Sequence, residues 1–327
     1  MLLYQKDNIT DNEQDLALNN GMLFMSLKII LGIAGLGLGA QIFVMGAKGI
    51  AIILGVPSII IGMSIVALGT SLPELATSLT AARHNQIGFV IGNIIGSNIS
   101  NIGLVLGTSC FIFFYLFNTN INPENDANSD SYVMFLAVIL LYYFSTDKVI
   151  SLIEGAVFFG MYVIYMYWLY VRSVNSDRDP IEQDNVSYIF LLGGLIALLF
   201  GAQLTVDSAV EIATYFGISE VVIGLSIVAI GTSLPELAGT VSAAKKGHKE
   251  IAVGNIIGSN IANIFMVMGI LAIIKPIDID DMILTTTMPL LMLITIATFG
   301  MIRVPMNRLS GLIFFSFFAL FLYQLTL

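Results

Sequence analysis

Long apolar stretches, separated by short polar connections, follow one another along the chain from about residue 22. An α-helix needs roughly 17 to 25 apolar residues to cross a hydrocarbon core of about 30 Å. The pattern predicts ten membrane-spanning helices, near residues 22–46, 50–82, 87–117, 131–146, 150–171, 187–213, 219–244, 249–274, 282–302 and 309–326. The second and third helices of each half are long enough to be tilted or broken.

The two halves of the chain carry the same polar motifs. A shift of 162 residues places Gly69–Ala76 on Gly231–Ala238 and Gly92–Ile99 on Gly254–Ile261, without a gap. If each copy contributes five helices, an odd number, the second copy enters the membrane from the opposite side. The sequence therefore predicts an all-α polytopic membrane protein with about ten transmembrane helices in two inverted five-helix repeats, a common plan of secondary transporters.

The first twenty residues are polar and acidic, and Lys6 is their only basic residue. They lack the positively charged start and the cleavage site of a secretory signal peptide. We expect a disordered tail at residues 1–20, the first repeat at 21–171, a polar connection at 172–186 and the second repeat at 187–327.

Each copy places a proline and a glutamate inside apolar sequence, Pro73 with Glu74 and Pro235 with Glu236. An ionisable group is costly in a bilayer, and a broken helix leaves backbone groups that need partners. Proline also displaces the carbonyl four residues earlier, which frees that oxygen for another partner. We interpret the matched pair as a transport site for a cation.

The side chains around the breaks supply only oxygen atoms as ligands. Carboxylate, hydroxyl and amide oxygens suit Ca²⁺, which takes roughly six to eight oxygens at about 2.3–2.6 Å, and disfavour soft transition metals. Na⁺ uses similar oxygens and needs less negative charge. The candidate ligands are Glu74, Glu236, Thr70, Ser71, Thr232, Ser233, Ser97, Ser259, Asn101 and Asn263.

Other polar residues of the apolar segments have simpler interpretations. An ionisable side chain near a helix end can extend to the lipid headgroups, and we interpret Glu154, Lys28 and Asp207 in this way. Glu74 and Glu236 differ because each lies in mid-segment after a helix break. Close helix packing through small residues is the main role that we expect for the motif glycines Gly92, Gly96, Gly254 and Gly258.

Composition agrees with a membrane location. Of the 327 residues, 57% are hydrophobic and 11% are charged, and the mean hydropathy is +0.91. A chain of this composition has too much apolar surface to bury in the core of a soluble protein. The net charge of −9 argues against a nucleic acid partner. The single cysteine, Cys110, excludes a disulfide framework within the chain.

Lysine and arginine are distributed unevenly between the two sets of alternate connections. Connections rich in these residues face the cytoplasm, so the richer set is predicted to be cytoplasmic and both termini to lie outside. That set carries eight of the thirteen: Lys48, Arg172, Arg178, Lys245, Lys246, Lys249, Arg303 and Arg308.

Gly-Thr-Ser-Leu-Pro-Glu followed by Gly-Asn-x-x-Gly-Ser-Asn-Ile-x-Asn occurs twice and resembles the two alpha repeats of the cation/calcium exchanger superfamily, especially the prokaryotic sodium/calcium exchangers. The resemblance implies an antiporter of the prokaryotic plasma (inner) membrane, with two gating helices sliding against an eight-helix core. It implies exchange of several Na⁺ for each Ca²⁺ and no cofactor. The implied ion-site positions are Ala67, Thr70, Ser71, Glu74, Ser97 and Asn101, with Ala229, Thr232, Ser233, Glu236, Ser259 and Asn263.

One position departs from the family pattern. Exchangers of this type often carry an aspartate where this chain has Asn263, so the site holds two carboxylates rather than three. Two negative charges balance one Ca²⁺, whereas more than two Na⁺ leave excess positive charge. The stoichiometry and the participation of H⁺ or K⁺ therefore stay open.

Three alternatives to Na⁺/Ca²⁺ exchange remain. A Ca²⁺/H⁺ exchanger would use Glu74 and Glu236 as proton carriers. An intramembrane enzyme would combine a buried glutamate with Ser71 or Ser233, but no His or Lys base lies near either serine in sequence. A passive channel is less consistent with matched broken helices, which suit an alternately exposed site. The sequence identifies no protein partner beyond the transported ions and the bilayer.

Overall fold

The computed structural model describes residues 11–54, 58–83, 85–118, 120–121, 125–175, 188–218 and 220–325. Two short strands, β1 (Val149–Ile150) and β2 (Ile277–Asp278), accompany a series of ten helices in these residues. The helices are α1 (Asp11–Leu54), α2 (58–83), α3 (Ile87–Phe117), α4 (Asn125–Phe144), α5 (Leu152–Asn175), α6 (Tyr188–Tyr215), α7 (220–245), α8 (Lys249–Ile274), α9 (Ile283–Met301) and α10 (Arg308–Gln324).

The helices agree with the predicted membrane-spanning segments in number and order. Among the described residues, eight helices are long and apolar enough to cross a membrane, and the two pieces of α7 together form a ninth. The tenth, α10, is a shorter apolar helix of 17 residues. Its N-terminus is closed by Asn307, whose side chain accepts hydrogen bonds from the backbone N–H groups of Leu309 and Ser310.

The first helix overlaps the segment in which we expected a disordered tail. The helix α1 begins at Asp11, so residues 11–20 are helical, and residues 1–10 lie outside the described part of the chain. Likewise α5 continues to Asn175, past the predicted start of the connection at 172.

The helices α2 and α7 are broken at equivalent serines, as predicted. In α2 the piece Ala67–Thr70 ends at Ser71 and a new piece, Leu72–Arg83, follows. In α7 the two pieces meet at Ser233 with a bend of 41°. Pro235 lies in the first turn of the second piece, where a missing N–H costs no intrahelical bond.

Wider, π-helical turns recur at matching positions of the two repeats. They occupy Gly62–Val66 and Gly224–Val228, just before the helix breaks, and Asn101–Leu106 and Ala262–Met268 in α3 and α8. Such turns inside α-helices are frequent at functional sites. Each of the four helices that carry the predicted ligands therefore contains a π-helical turn, and one further such turn lies in α9 at Ile283–Thr287.

These four helices pack closely because glycines remove side chains from their contacts. A Cβ atom added at Gly96 of α3 would lie 2.6 Å from the Cβ atom of Ala229 in α7. Its counterpart at Gly258 of α8 would lie 2.7 Å from the Cβ atom of Ala67 in α2. Each repeat thus sets its third helix against the broken helix of the other repeat.

Two β contacts join connections from the two halves of the chain. The strands β1 and β2 pair antiparallel and link the α4–α5 connection to the α8–α9 connection. A single bridge between Ile121 and Met306 links the α3–α4 connection to the α9–α10 connection. In a chain whose helices cross the membrane alternately, these two contacts lie on opposite faces.

Candidate functional site

The predicted ligands come together in the interior of the molecule, where α2, α3, α7 and α8 meet. Glu74 and Glu236 are both fully buried, and each lies in the first turn of the helix piece that follows a break. The N-terminus of a helix carries partial positive charge, which stabilises a nearby carboxylate. The breaks therefore place two carboxylates at helix starts inside the protein.

Most of the carboxylate oxygens lack hydrogen-bond partners. Among the described residues, neither oxygen of Glu74 has a partner, although the Ser97 and Thr232 hydroxyls lie near this carboxylate. The Oε1 atom of Glu236 accepts a hydrogen bond from the Ser71 hydroxyl at 3.3 Å, while its Oε2 atom has none in that part of the chain. Buried polar groups normally have partners because desolvation is costly. A bound cation, or protons, would satisfy these oxygens.

Hydroxyl groups of the two repeats meet across the repeat interface. The Thr70 Oγ1 atom lies 3.4 Å from Ser259 Oγ, and the Thr232 Oγ1 atom lies 3.2 Å from Ser97 Oγ. Each pair joins the broken helix of one repeat to the third helix of the other. The site is thus shared between the repeats.

The backbone at the breaks contributes further oxygens. Ser97 donates a hydrogen bond to the Ala229 carbonyl at 3.3 Å, and Ser259 donates one to the Ala67 carbonyl at 3.5 Å. These carbonyls also accept the N–H groups of Ser233 and Ser71, at 3.2 and 3.0 Å. The Ser233 hydroxyl has no partner in the described part of the chain.

The two asparagines that end the motifs are buried but not equivalent. The Asn101 side chain donates to the Asn260 side-chain oxygen at 3.3 Å. Neither side-chain atom of Asn263 has a hydrogen-bond partner among residues that the structure describes. Asn263 is the position at which the resemblance led us to expect an aspartate in many exchangers, and its amide is available for another ligand.

Two buried asparagines that contact the candidate site were not among the predicted ligands. Asn93 and Asn255 are buried, and their side-chain oxygens accept hydrogen bonds from Thr232 and Thr70 at 3.0 and 3.1 Å. Asn93 precedes Ser97 by four residues, so it lies on the same helix face one turn earlier. Extending the four-residue spacing by one turn would have identified both.

The ionisable residues interpreted as peripheral have local partners. Glu154 accepts hydrogen bonds from the backbone N–H and the hydroxyl of Ser151 at 2.7 and 2.8 Å. Asp207 accepts one from Gln203 at 2.7 Å, and the Lys28 ammonium lies over the Phe24 ring. None of these contacts involves a residue of the candidate site.

The donor set fits a hard cation with few charged ligands. Within the described residues, no three of His, Cys, Asp and Glu come together in a cluster that could hold a metal ion. A cation bound between Glu74 and Glu236 would complete its coordination with hydroxyl, amide and carbonyl oxygens. Such a set suits Ca²⁺ or Na⁺ rather than zinc or copper.

Comparison with known proteins gives consistent matches over most of the chain. A family model described as sodium/calcium exchanger protein matches residues 25–171 and 186–327. The "Putative antiporter CaxA" of Alkalimonas amylolytica is 35% identical over an alignment of 323 residues. The match covers 93% of this chain and 99% of the relative. The "Sodium/calcium exchanger MaX1" of Methanosarcina acetivorans is 32% identical, covering 90% of this chain and 97% of the relative.

A solved structure has the same fold. The sodium-calcium exchanger NCX_Mj, soaked with 100 mM Na⁺ and 10 mM Sr²⁺, matches with a TM-score of 0.78 and 33% identity, covering 91% of this chain and 97% of its own. These matches confirm the resemblance that the two motifs indicated. They also confirm the predicted fold of about ten helices in two repeats.

Proposed function

Because the chain belongs to the sodium/calcium exchanger protein family, we propose that it exchanges Na⁺ for Ca²⁺ across a membrane by alternating access. The proposed ions bind between Glu74 and Glu236, with oxygens from both repeats completing the site. The family consists of exchangers, so the chain's membership in it supports a transporter rather than an enzyme.

One observation carries the proposal beyond family membership. Two fully buried glutamates lie at matching helix breaks, and three of their four carboxylate oxygens have no hydrogen-bond partner among the described residues. Two uncompensated buried charges are strongly unfavourable. A divalent cation between them removes that cost, and the surrounding hydroxyls supply neutral ligands.

The charge of the site supports a restriction on the exchange ratio. Glu74 and Glu236 together balance one Ca²⁺, and Asn263 and Asn101 add no charge. Two Na⁺ leave the site equally neutral, whereas a third Na⁺ adds an uncompensated positive charge in a low-dielectric interior. We therefore propose that at most two Na⁺ occupy the carboxylates at once, with any further ion bound by neutral oxygens.

Ca²⁺/H⁺ exchange is the second candidate, and the missing third carboxylate favours it. Protonation of Glu74 and Glu236 neutralises the empty site without requiring coordination by the hydroxyls. Both candidates use the same two residues, so their geometry does not separate them.

Transport into vesicles separates the candidates. Purified protein is reconstituted into lipid vesicles, and uptake of radiolabelled Ca²⁺ is measured with an outward Na⁺ gradient at constant pH, then with a pH gradient in the absence of Na⁺. Uptake driven by the Na⁺ gradient is expected. Uptake driven only by the pH gradient identifies the second candidate, and equal uptake without any gradient identifies a channel. Vesicles with Glu74→Gln serve as the control.

A further inference from the structure

Asn93 makes three hydrogen bonds, and one of them connects the two repeats. Its Nδ2 atom donates to the Glu74 carbonyl at 3.4 Å and to Ser78 Oγ at 2.9 Å. Its Oδ1 atom accepts from Thr232 Oγ1 at 3.0 Å. These bonds join one side chain of α3 both to the helix piece that carries Glu74 and to the opposite repeat. The residue is fully buried.

The Glu74 carbonyl fixes which way the Asn93 amide faces. A backbone carbonyl can only accept a hydrogen bond, so the amide nitrogen must face it. A flipped amide would bring two acceptor oxygens together at this contact and lose a buried donor. The Oδ1 atom of Asn93 therefore faces Thr232.

The orientation of Asn93 determines which acceptor receives the hydrogen bond that the Thr232 hydroxyl donates. A threonine hydroxyl has one proton and two lone pairs. Asn93 Oδ1 is closer to Thr232 Oγ1 than the Ala229 carbonyl is, at 3.0 against 3.5 Å. With the proton committed to Asn93, the lone pairs of the hydroxyl are left for other partners. A cation binds lone pairs and is repelled by the hydroxyl proton.

We propose that Asn93 is a positioning residue that draws the Thr232 hydroxyl proton away from the site and so presents the hydroxyl lone pairs to the bound cation. The inference rests on the proposed function only in requiring that a cation binds beside Thr232. Asn93 itself touches no ion and acts through Thr232.

In the other repeat, the hydroxyl of Thr70 has other close acceptors besides its asparagine partner, Asn255. Thr70 Oγ1 donates to Asn255 Oδ1 at 3.1 Å, but the Val66 carbonyl lies at the same distance and the Ala67 carbonyl at 3.4 Å. The Thr70 proton therefore keeps a good acceptor when Asn255 is removed. Among the described residues, the alternatives for the Thr232 proton are the Ala229 carbonyl at 3.5 Å and the Ser97 hydroxyl at 3.2 Å, so Thr232 has no backbone carbonyl as close as Val66 is to Thr70. The chain thus provides a matched control for Asn93.

The test compares Asn93→Ala with Asn255→Ala. Cation binding to purified protein is measured as stabilisation against thermal unfolding over a concentration series, with Ca²⁺ and with Na⁺ separately. We expect Asn93→Ala to weaken the apparent affinity roughly tenfold, the effect of losing one buried hydrogen bond that orients a ligand. Asn255→Ala is expected to weaken it by less than about threefold, since Thr70 retains a partner.

A double-mutant cycle separates positioning from a general packing effect. In the Thr232→Val background no hydroxyl remains to be oriented, so Asn93→Ala should cause no further loss of affinity. A packing role would lower the melting temperature without ligand and add to the effect of Thr232→Val. Asn93→Ser, which is polar but too short to reach Thr232, replaces Asn93→Ala if that variant does not accumulate.

The outcomes distinguish this inference from the proposed function. Equal effects of Asn93→Ala and Asn255→Ala, or additive effects of Asn93→Ala and Thr232→Val, overturn the inference even if Ca²⁺ is transported. A wild-type protein stabilised by Na⁺ but not by Ca²⁺ overturns the proposed Ca²⁺ exchange and still allows the cycle to be measured with Na⁺. A wild-type protein stabilised by neither cation overturns both.

Discussion

At the scale of residues, the two glutamates are equivalent in sequence but not in their surroundings. Glu236 receives a hydrogen bond from Ser71 across the repeat interface, whereas the described residues offer Glu74 no such bond. The matching hydroxyl of Ser233 is also without a partner there. The two repeats therefore differ in the hydrogen bonds that they make at matching positions of the candidate site.

We expect Glu74→Gln and Glu236→Gln each to reduce Ca²⁺ uptake to about a tenth or less, because a hydrogen bond or contact to a charged group is worth about 1.5–3 kcal/mol. Glutamine keeps the size of the side chain and removes its charge. Initial uptake rates in vesicles test this, with protein amount and melting temperature as controls. Normal uptake in either variant would remove that glutamate from the site.

At the scale of elements, the breaks in α2 and α7 have a defined cause. Proline follows each break by two residues, and the preceding serines adopt backbone angles near φ −84° and ψ 1° at Ser71 and φ −78° and ψ 0° at Ser233. The third helix of the opposite repeat packs closely against each break because a glycine faces an alanine. Both the helix interruption and the close packing are therefore required to bring the ligands together.

Gly96→Ala should disturb the site from outside it. The added methyl group would lie 2.6 Å from the Ala229 Cβ atom and 2.7 Å from the Leu225 carbonyl, and overpacking of this kind costs about 1–3 kcal/mol. We expect a lower melting temperature together with weaker cation binding. Gly160→Ala is the matched control, since nothing lies within 4 Å of its added Cβ atom. A Gly96→Ala variant as stable as the control would contradict the packing argument.

Sequence reasoning predicted candidate ligands that the fold brings together, but it did not predict how they pair. Glu74 and Glu236 were identifiable because an ionisable group beside a proline is rare in apolar sequence. The sequence did not reveal that Ser97 pairs with Thr232 of the other copy, since repeat equivalence does not say which elements face each other. It also did not predict a helix that begins as early as Asp11, because acidic residues such as Asp15 occur in disordered tails as well as at helix starts.

At the scale of the whole molecule, contacts between connections support the alternation of the helices. Lys275 contacts Asn85, and Lys148 forms an ion pair with Asp281 at 2.7 Å. Both contacts join connections that an alternating chain puts on one face. Arg172 pairs at 2.9 Å with a buried aspartate, Asp130, on the other face. These contacts fix relative sides, and the distribution of lysine and arginine predicts which face is cytoplasmic.

Cysteine labelling tests that orientation. We expect Lys246→Cys to react with a membrane-impermeant thiol reagent only after cells are opened, and Asn85→Cys to react in intact cells. The native Cys110 is buried, and the unsubstituted protein measures its background reactivity. The reverse pattern would place both termini in the cytoplasm, and labelling of both variants in intact cells would exclude the alternating arrangement.

The two β contacts between connections also constrain the order in which the protein is assembled. In each, one segment comes from the first half of the chain and its partner is synthesised more than a hundred residues later, as for Ile150 with Ile277 and Ile121 with Met306. Such distant pairings close late because the intervening chain must first be ordered. Until the second half is inserted, the first five helices therefore lack the partners of both contacts. A chain truncated between the two halves would therefore lack both of these contacts.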